Sequence, residues 1–156
     1  MNSSIGVDFE VADLLRTWTK DPRNIRAVFI LLKQRLSSKE NCTLSFNARP
    51  GISYSLRASI NGPGGTGDRL FALIDVIDDD PANRWLSVCF YNGTVTDAQG
   101  IGNIIPQGIM GTDGYCFDLE EEDPAMVAYL NDRIDEAYEN ATAKFPSKSI
   151  IKFTQS

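Results

Sequence analysis

The chain contains no histidine. That removes the side chain whose proton affinity suits acid–base work near neutrality, and with it the commonest catalytic triads and most transition-metal sites. A Ser–Lys pair, a pair of carboxylates or a lone thiolate would have to supply any chemistry. No cofactor is expected. Cysteine is also scarce: Cys42, Cys89 and Cys116 are odd in number and widely spaced. This predicts neither a disulfide framework nor a zinc site, and free thiols imply a reducing compartment, the cytoplasm.

Long apolar runs are missing as well. No stretch approaches the roughly 18 residues of a membrane span, and Met1–Glu10 lacks the basic region and apolar run of a signal peptide. A membrane is therefore not an expected partner. Basic clusters are absent too: 15 Lys and Arg against 21 Asp and Glu leave a net charge of −6, with the cations scattered singly from Arg16 to Lys152. Such a surface repels phosphate backbones, which argues against nucleic acid. Asn-x-Thr triplets at Asn41, Asn92 and Asn140 matter only in a secreted chain.

What is present is an ordinary globular composition, 42% apolar and 23% charged over 156 residues, enough for one core and one domain spanning 1–156. Apolar residues at Val11, Leu14, Leu15 and Trp18 predict a short helix over Val7–Trp18, in an N-terminal helical extension of residues 1–20. Asp21 followed by Pro22 opens a second helix to about Leu36, with Ile25, Val28, Phe29, Leu32 and Leu36 on one face. The period then changes to two. Leu44, Phe46 and Ala48 alternate with Ser45, Asn47 and Arg49, and Tyr54, Leu56, Ala58 and Ile60 with Ser55, Arg57 and Ser59. Leu70–Ile77 and Trp85–Tyr91 read as two more strands and Tyr115–Leu119 as a fifth. Asn92–Gly114, with six glycines, reads as a long loop. Asp123–Pro124 opens the last helix, with Val127, Leu130, Ile134, Ala137 and Tyr138 along one face; from 145 to 156 the chain reads as a tail that either packs through Ile150, Ile151 and Phe153 or stays mobile. The expectation is an α+β fold: an antiparallel meander of about five strands, with two N-terminal helices and one C-terminal helix packed on one face.

Three motifs carry candidate chemistry. Gly62-Pro63-Gly64-Gly65-Thr66-Gly67 satisfies the dinucleotide fingerprint by letter, but the segment after it reads as a strand, so no helix N-terminus receives a phosphate and a hairpin connection is expected. The runs Asp78–Asp80 and Glu120–Asp123 match no calcium loop; Asp80 and Asp123 each precede a proline and read as turn or helix-start residues. No metal site is expected. Last, the second face of the sheet carries Asn47, Arg57, Asp75, Tyr91 and Asp118 among serines. Small polar residues there make a candidate pocket floor, roofed by the glycine-rich loop, with Arg57 gripping an anion. A plain solvated face or a dimer contact is the competing reading.

The stretches Ala48-Arg49-Pro50-Gly51-Ile52-Ser53-Tyr54-Ser55-Leu56-Arg57, Phe71-Ala72-Leu73-Ile74-Asp75-Val76-Ile77-Asp78-Asp79-Asp80-Pro81 and Gly114-Tyr115-Cys116-Phe117-Asp118 resemble small conserved bacterial domains of unknown function. The resemblance implies an α+β fold and a bacterial origin, and supplies no activity or catalytic residues. The function expected is a non-catalytic binding or interaction module, monomeric or homodimeric, for a small anionic ligand or a protein partner. The alternative is a histidine-free enzyme acting on a small anionic substrate, with Asp75 or Asp118 as base and Arg57 orienting the substrate.

Overall fold

The computed structural model describes residues 2–62 and 68–143. The tail from Phe145 and the loop residues Pro63–Gly67 lie outside them. Helix α1 (Asn2–Thr17) and helix α2 (Ile25–Ser37) precede strands β1 (Cys42–Arg49), β2 (Ser53–Asn61), β3 (Asp68–Ile77), β4 (Trp85–Tyr91), β5 (Asn103–Ile109) and β6 (Thr112–Leu119), and helix α3 (Pro124–Ala143) closes the order. The strands form one antiparallel sheet in the order β1-β2-β3-β4-β6-β5. The fold is the α+β arrangement expected, with six strands among the described residues rather than about five.

The helices follow from their apolar stripes. Ile25, Val28, Phe29, Leu32 and Leu36 of α2 are buried, as are Val127, Leu130, Ile134, Ala137 and Ala141 of α3. Capping is as expected for α3, where the Asp123 carboxylate accepts the Ala125 and Met126 N–H groups. In α2 it differs: Asp21 accepts the Ile25 and Arg26 N–H groups at 2.8 and 3.0 Å, yet the helix starts three residues later than Pro22 would have it. Pro22 and Arg23 form a turn, and Asn24 takes the left-handed conformation, φ 59°, which asparagine tolerates better than most residues.

All three helices feed one core. Val7, Val11, Leu14 and Trp18 of the α1 region join the buried faces of α2 and α3 and the strand residues Leu44, Leu56, Ile74, Leu86, Phe90 and Phe117. Because strand side chains alternate, one sheet face is covered by helices and the other is left for polar or small residues. Among the described residues, no helix covers that second face. At its end the chain is fastened by a buried ion pair. Asp78 and Arg84, with side chains 3% and 6% exposed, meet at 2.7 Å. The second Asp78 oxygen accepts the Gly51 N–H, and the guanidinium lies over the Trp18 and Tyr54 rings at 5.4 and 5.6 Å. Asp78, the first of the three aspartates in a run read as matching no calcium loop, is a buried residue.

Two further departures from the sequence reading concern cysteine and the glycine-rich segment. Cys89 and Cys116 are disulfide-bonded. The sequence places both on predicted strands and reads them as free thiols, whereas the register sets them directly opposite across β4 and β6, with Cα atoms 4.1 Å apart. Cys42 is the free cysteine, so the thiol argument for a reducing compartment loses two of its three residues. The segment read as a loop contains β5, which forms a hairpin with β6.

Candidate functional site

The second sheet face collects the polar residues in rows, because directly paired residues share a face. Asn47, Ser55, Asp75, Ser87 and Asp118 are successive partners across β1, β2, β3, β4 and β6. The next row runs Ser45, Arg57, Leu73, Cys89, Cys116 and Asn103. Arg57 is thus the diagonal neighbour of Asp75, and Asp118 lies two strands from Asp75, about 10 Å at the usual strand spacing. Tyr91 faces Gly114 two positions further along β4 and packs on an apolar cluster of Leu73, Cys89, Ile109 and Cys116. The five candidate residues therefore separate. Asn47, Arg57 and Asp75 form one group, Tyr91 stands apart beside the apolar cluster, and Asp118, though in the Asp75 row, lines a separate cleft.

Asp75 is the most constrained member. Its carboxylate is half-buried and Oδ1 has no hydrogen-bond partner. Burial pushes its pKa above the ordinary carboxylate value, while the Ser55 hydroxyl and the Arg57 and Arg49 charges pull it back. The two arginines are laid along the sheet by serines: Arg57 Nε donates to Ser55 Oγ at 3.3 Å and Arg49 to Ser53 Oγ at 3.2 Å. Ser53 and Ser55 are themselves buried. Two cations thus stand beside a floor of small hydroxyls and one carboxylate with an unpartnered oxygen. Such a surface suits a ligand that accepts from guanidinium and donates to Asp75.

The expected roof is not there. The segment after β4 packs on the opposite side, against α3. Thr96 N–H donates to Glu136 at 2.9 Å, and Asn140 donates to the Thr94 carbonyl at 2.7 Å. Asp97 holds the segment. Its carboxylate accepts the Tyr129 hydroxyl at 2.6 Å, the Tyr115 hydroxyl, and the Gly102 and Ile101 N–H groups at 2.8 and 3.2 Å. Burial pushes the Asp97 pKa up, but the Tyr115, Tyr129 and backbone donors outweigh it and hold the carboxyl well below its ordinary value. Of the glycine-rich segment, Ile109 does reach the open face.

Asp118 belongs to a separate open cleft of about 620 Å³ at the β6–α3 corner, lined also by Arg23, Ile101, Glu120, Glu121 and Met126. Burial and the neighbouring Glu120 push its pKa up. The lone-thiolate option fares poorly: burial raises the Cys42 thiol to about 11, against the opposing pull of the Ser59 backbone and Lys39, so the nucleophilic form is scarce at neutral pH. Among the described residues, no three potential ligands group to hold a metal ion, and no helix is long and apolar enough to cross a membrane.

Sequence reasoning singled out Arg57, Asp75 and Asn47 from strand alternation alone. It missed Arg49, read only as an alternating strand residue, and Asp97, whose partners lie up to 32 residues away. These features define a class, a two-layer α+β domain with one open sheet face. No family model, curated protein or solved structure matches the chain.

Proposed function

We propose that the chain is a non-catalytic binding module whose open sheet face takes a small anionic ligand carrying a hydroxyl or amine donor. One observation carries the reading: Asp75 leaves an oxygen unpartnered beneath Arg57 and Arg49, on a face that no helix covers among the described residues. An unmet buried acceptor costs free energy, and a ligand hydroxyl or ammonium group removes that cost while its anionic end meets Arg57. Asn47, exposed at the end of the same row, adds an amide at the rim.

The same carboxyl favours a second reading, an enzyme in which Asp75, its pKa raised by burial, exchanges a proton with a substrate oriented by Arg57. A bacterial origin accompanies both readings. A thermal-shift screen against hydroxy acids, amino acids and phosphorylated metabolites tests binding: a ligand present at about a hundred times its Kd stabilises by about 2.7 kcal/mol. The rise is expected to vanish in Arg57→Ala and shrink in Asp75→Asn. A rise unchanged in both variants removes this face from consideration. Turnover of the bound compound, lost in Asp75→Asn with binding retained, would select the enzyme.

A further inference from the structure

Strand β5 is the outer strand on its side of the sheet, hydrogen-bonded among the described residues to β6. From Ala98 to Thr112 no residue is charged, the longest uncharged stretch in the chain. Four large apolar side chains on it face solvent: Ile101, Ile104, Ile105 and Met110, at 40%, 53%, 41% and 68% exposure. The opposite outer strand, β1, shows Ser45, Asn47 and Arg49 instead. Edge strands are ordinarily guarded against pairing by charge, proline or a bulge. Here the charge is missing. Pro106 and the register shift between Ile105 and Ile109 guard the later half of β5, and Asn103–Ile105 is left unguarded.

Charge decides what can occupy this edge. Each chain carries −6, so two copies repel wherever their charged surfaces meet, and around a two-fold axis any charged patch meets its own kind. An uncharged apolar strand is complementary to itself. A two-fold axis also makes self-pairing of a strand antiparallel, which is the pairing used throughout this sheet. Ile104 shares the helix-side face with Tyr115, its partner on β6, and Ile105 shares the open face with Gly114. Apolar contacts therefore form above and below the joint. We propose that two copies associate through β5 edge to edge, over Asn103–Ile105, to make one continuous sheet with Ile101 and Met110 at the rims.

Sedimentation equilibrium of the full chain tests this. The expected result is a species of twice 17.2 kDa whose Kd falls as sodium chloride is raised, because salt screens the like charges and leaves the apolar contact intact. Ile104→Lys and Ile105→Lys are each expected to yield monomers with unchanged circular dichroism, while Ser45→Lys on β1 leaves the dimer alone. Should Ile104→Lys fail to fold, Ile105→Lys and Met110→Lys, both at exposed positions, carry the test. A chain monomeric at every salt concentration overturns the proposal. So does a dimer that survives both lysine substitutions, or one that salt dissociates. The ligand reading stands or falls separately, since Arg57 is on β2, three strands from β6 and four from the joint.

Discussion

Replacing Asp78 with alanine should be among the most damaging single changes in the chain, and the structure sets its size. The Asp78 side chain is 3% exposed and the Arg84 side chain 6%, so removing the carboxylate strands a guanidinium out of water. Breaking a buried pair from one side costs about 3–5 kcal/mol. The Gly51 N–H also loses its acceptor, but the loop there is exposed and water replaces it at small cost. At about 2–4 °C per kcal/mol for a chain of this size, Asp78→Ala should lower Tm by roughly 6–20 °C. The decisive variant is Asp78→Ala/Arg84→Met. Removing both charges ends the desolvation penalty, and a thioether packs well between the Trp18 and Tyr54 rings that now flank the guanidinium. Urea unfolding with linear extrapolation should show the double variant recovering about 2 kcal/mol or more of the single variant's loss at an unchanged m-value. If Asp78→Ala costs under about 1 kcal/mol, or the double variant is no better than the single, the claim that an uncompensated buried charge dominates this site is wrong.

The other expectations concern the segment after β4 and the cysteines. Asp97→Asn should destabilise the fold at neutral pH and remove a pH dependence. The folded-state pKa is depressed, so the stabilisation is present above the ordinary carboxylate value and fades as pH falls through the folded value; urea midpoints at pH 7 and in the acid range should differ more in wild type than in Asp97→Asn. Gly102→Ala would set a methyl carbon 2.4 Å from a Tyr115 ring carbon and 2.9 Å from one of Phe117. It should cost about 1–3 kcal/mol, read as a fall in urea midpoint; a neutral result would mean the two rings shift freely. Reducing Cys89–Cys116 reopens a loop of 27 residues, for which the chain-entropy model gives about 3.5 kcal/mol. Thiol alkylation under denaturing conditions, without reductant, should label Cys42 alone, and labelling of all three would refute the pairing.

What the sequence made legible was periodic. The α2 and α3 stripes are buried as their spacing predicts, β1 and β2 are legible by their alternation and β3 and β4 as strands, and the register brings Asn47, Arg57 and Asp75 onto one face. The rest depended on long-range geometry. β5 escaped notice because Pro106, Gly108 and its exposed isoleucines blur any period of two; its strand character comes from pairing with β6, not from local preference. Asp97 is one aspartate in a glycine-rich stretch until the fold delivers Tyr115 and Tyr129 to it. Asp78 lies in an acidic run that offers no sign of burial, and only the fold brings the buried Arg84 side chain to it. The expected roof failed for a related reason: which side of a sheet a connection crosses is fixed by its anchors, here on α3.

The interchange of the last two strands carries a consequence for how the domain is assembled and how it can change. Through β4, every strand after the first leaves its turn beside a neighbour already made. β5 does not: its partner β6 follows it in the chain, and the pair joins the sheet only when β6 reaches β4. The hairpin itself is local, but its docking on β4 is a longer-range pairing, of the kind that slows folding. It is also attached through one strand. The exposed residues of β5, Asn103–Ile105, can be exchanged without disturbing the strands beneath, unlike Ile109, which packs on Leu73, Cys89 and Cys116; this margin is the part of the molecule freest to change while Arg57, Asp75 and the core remain as they are.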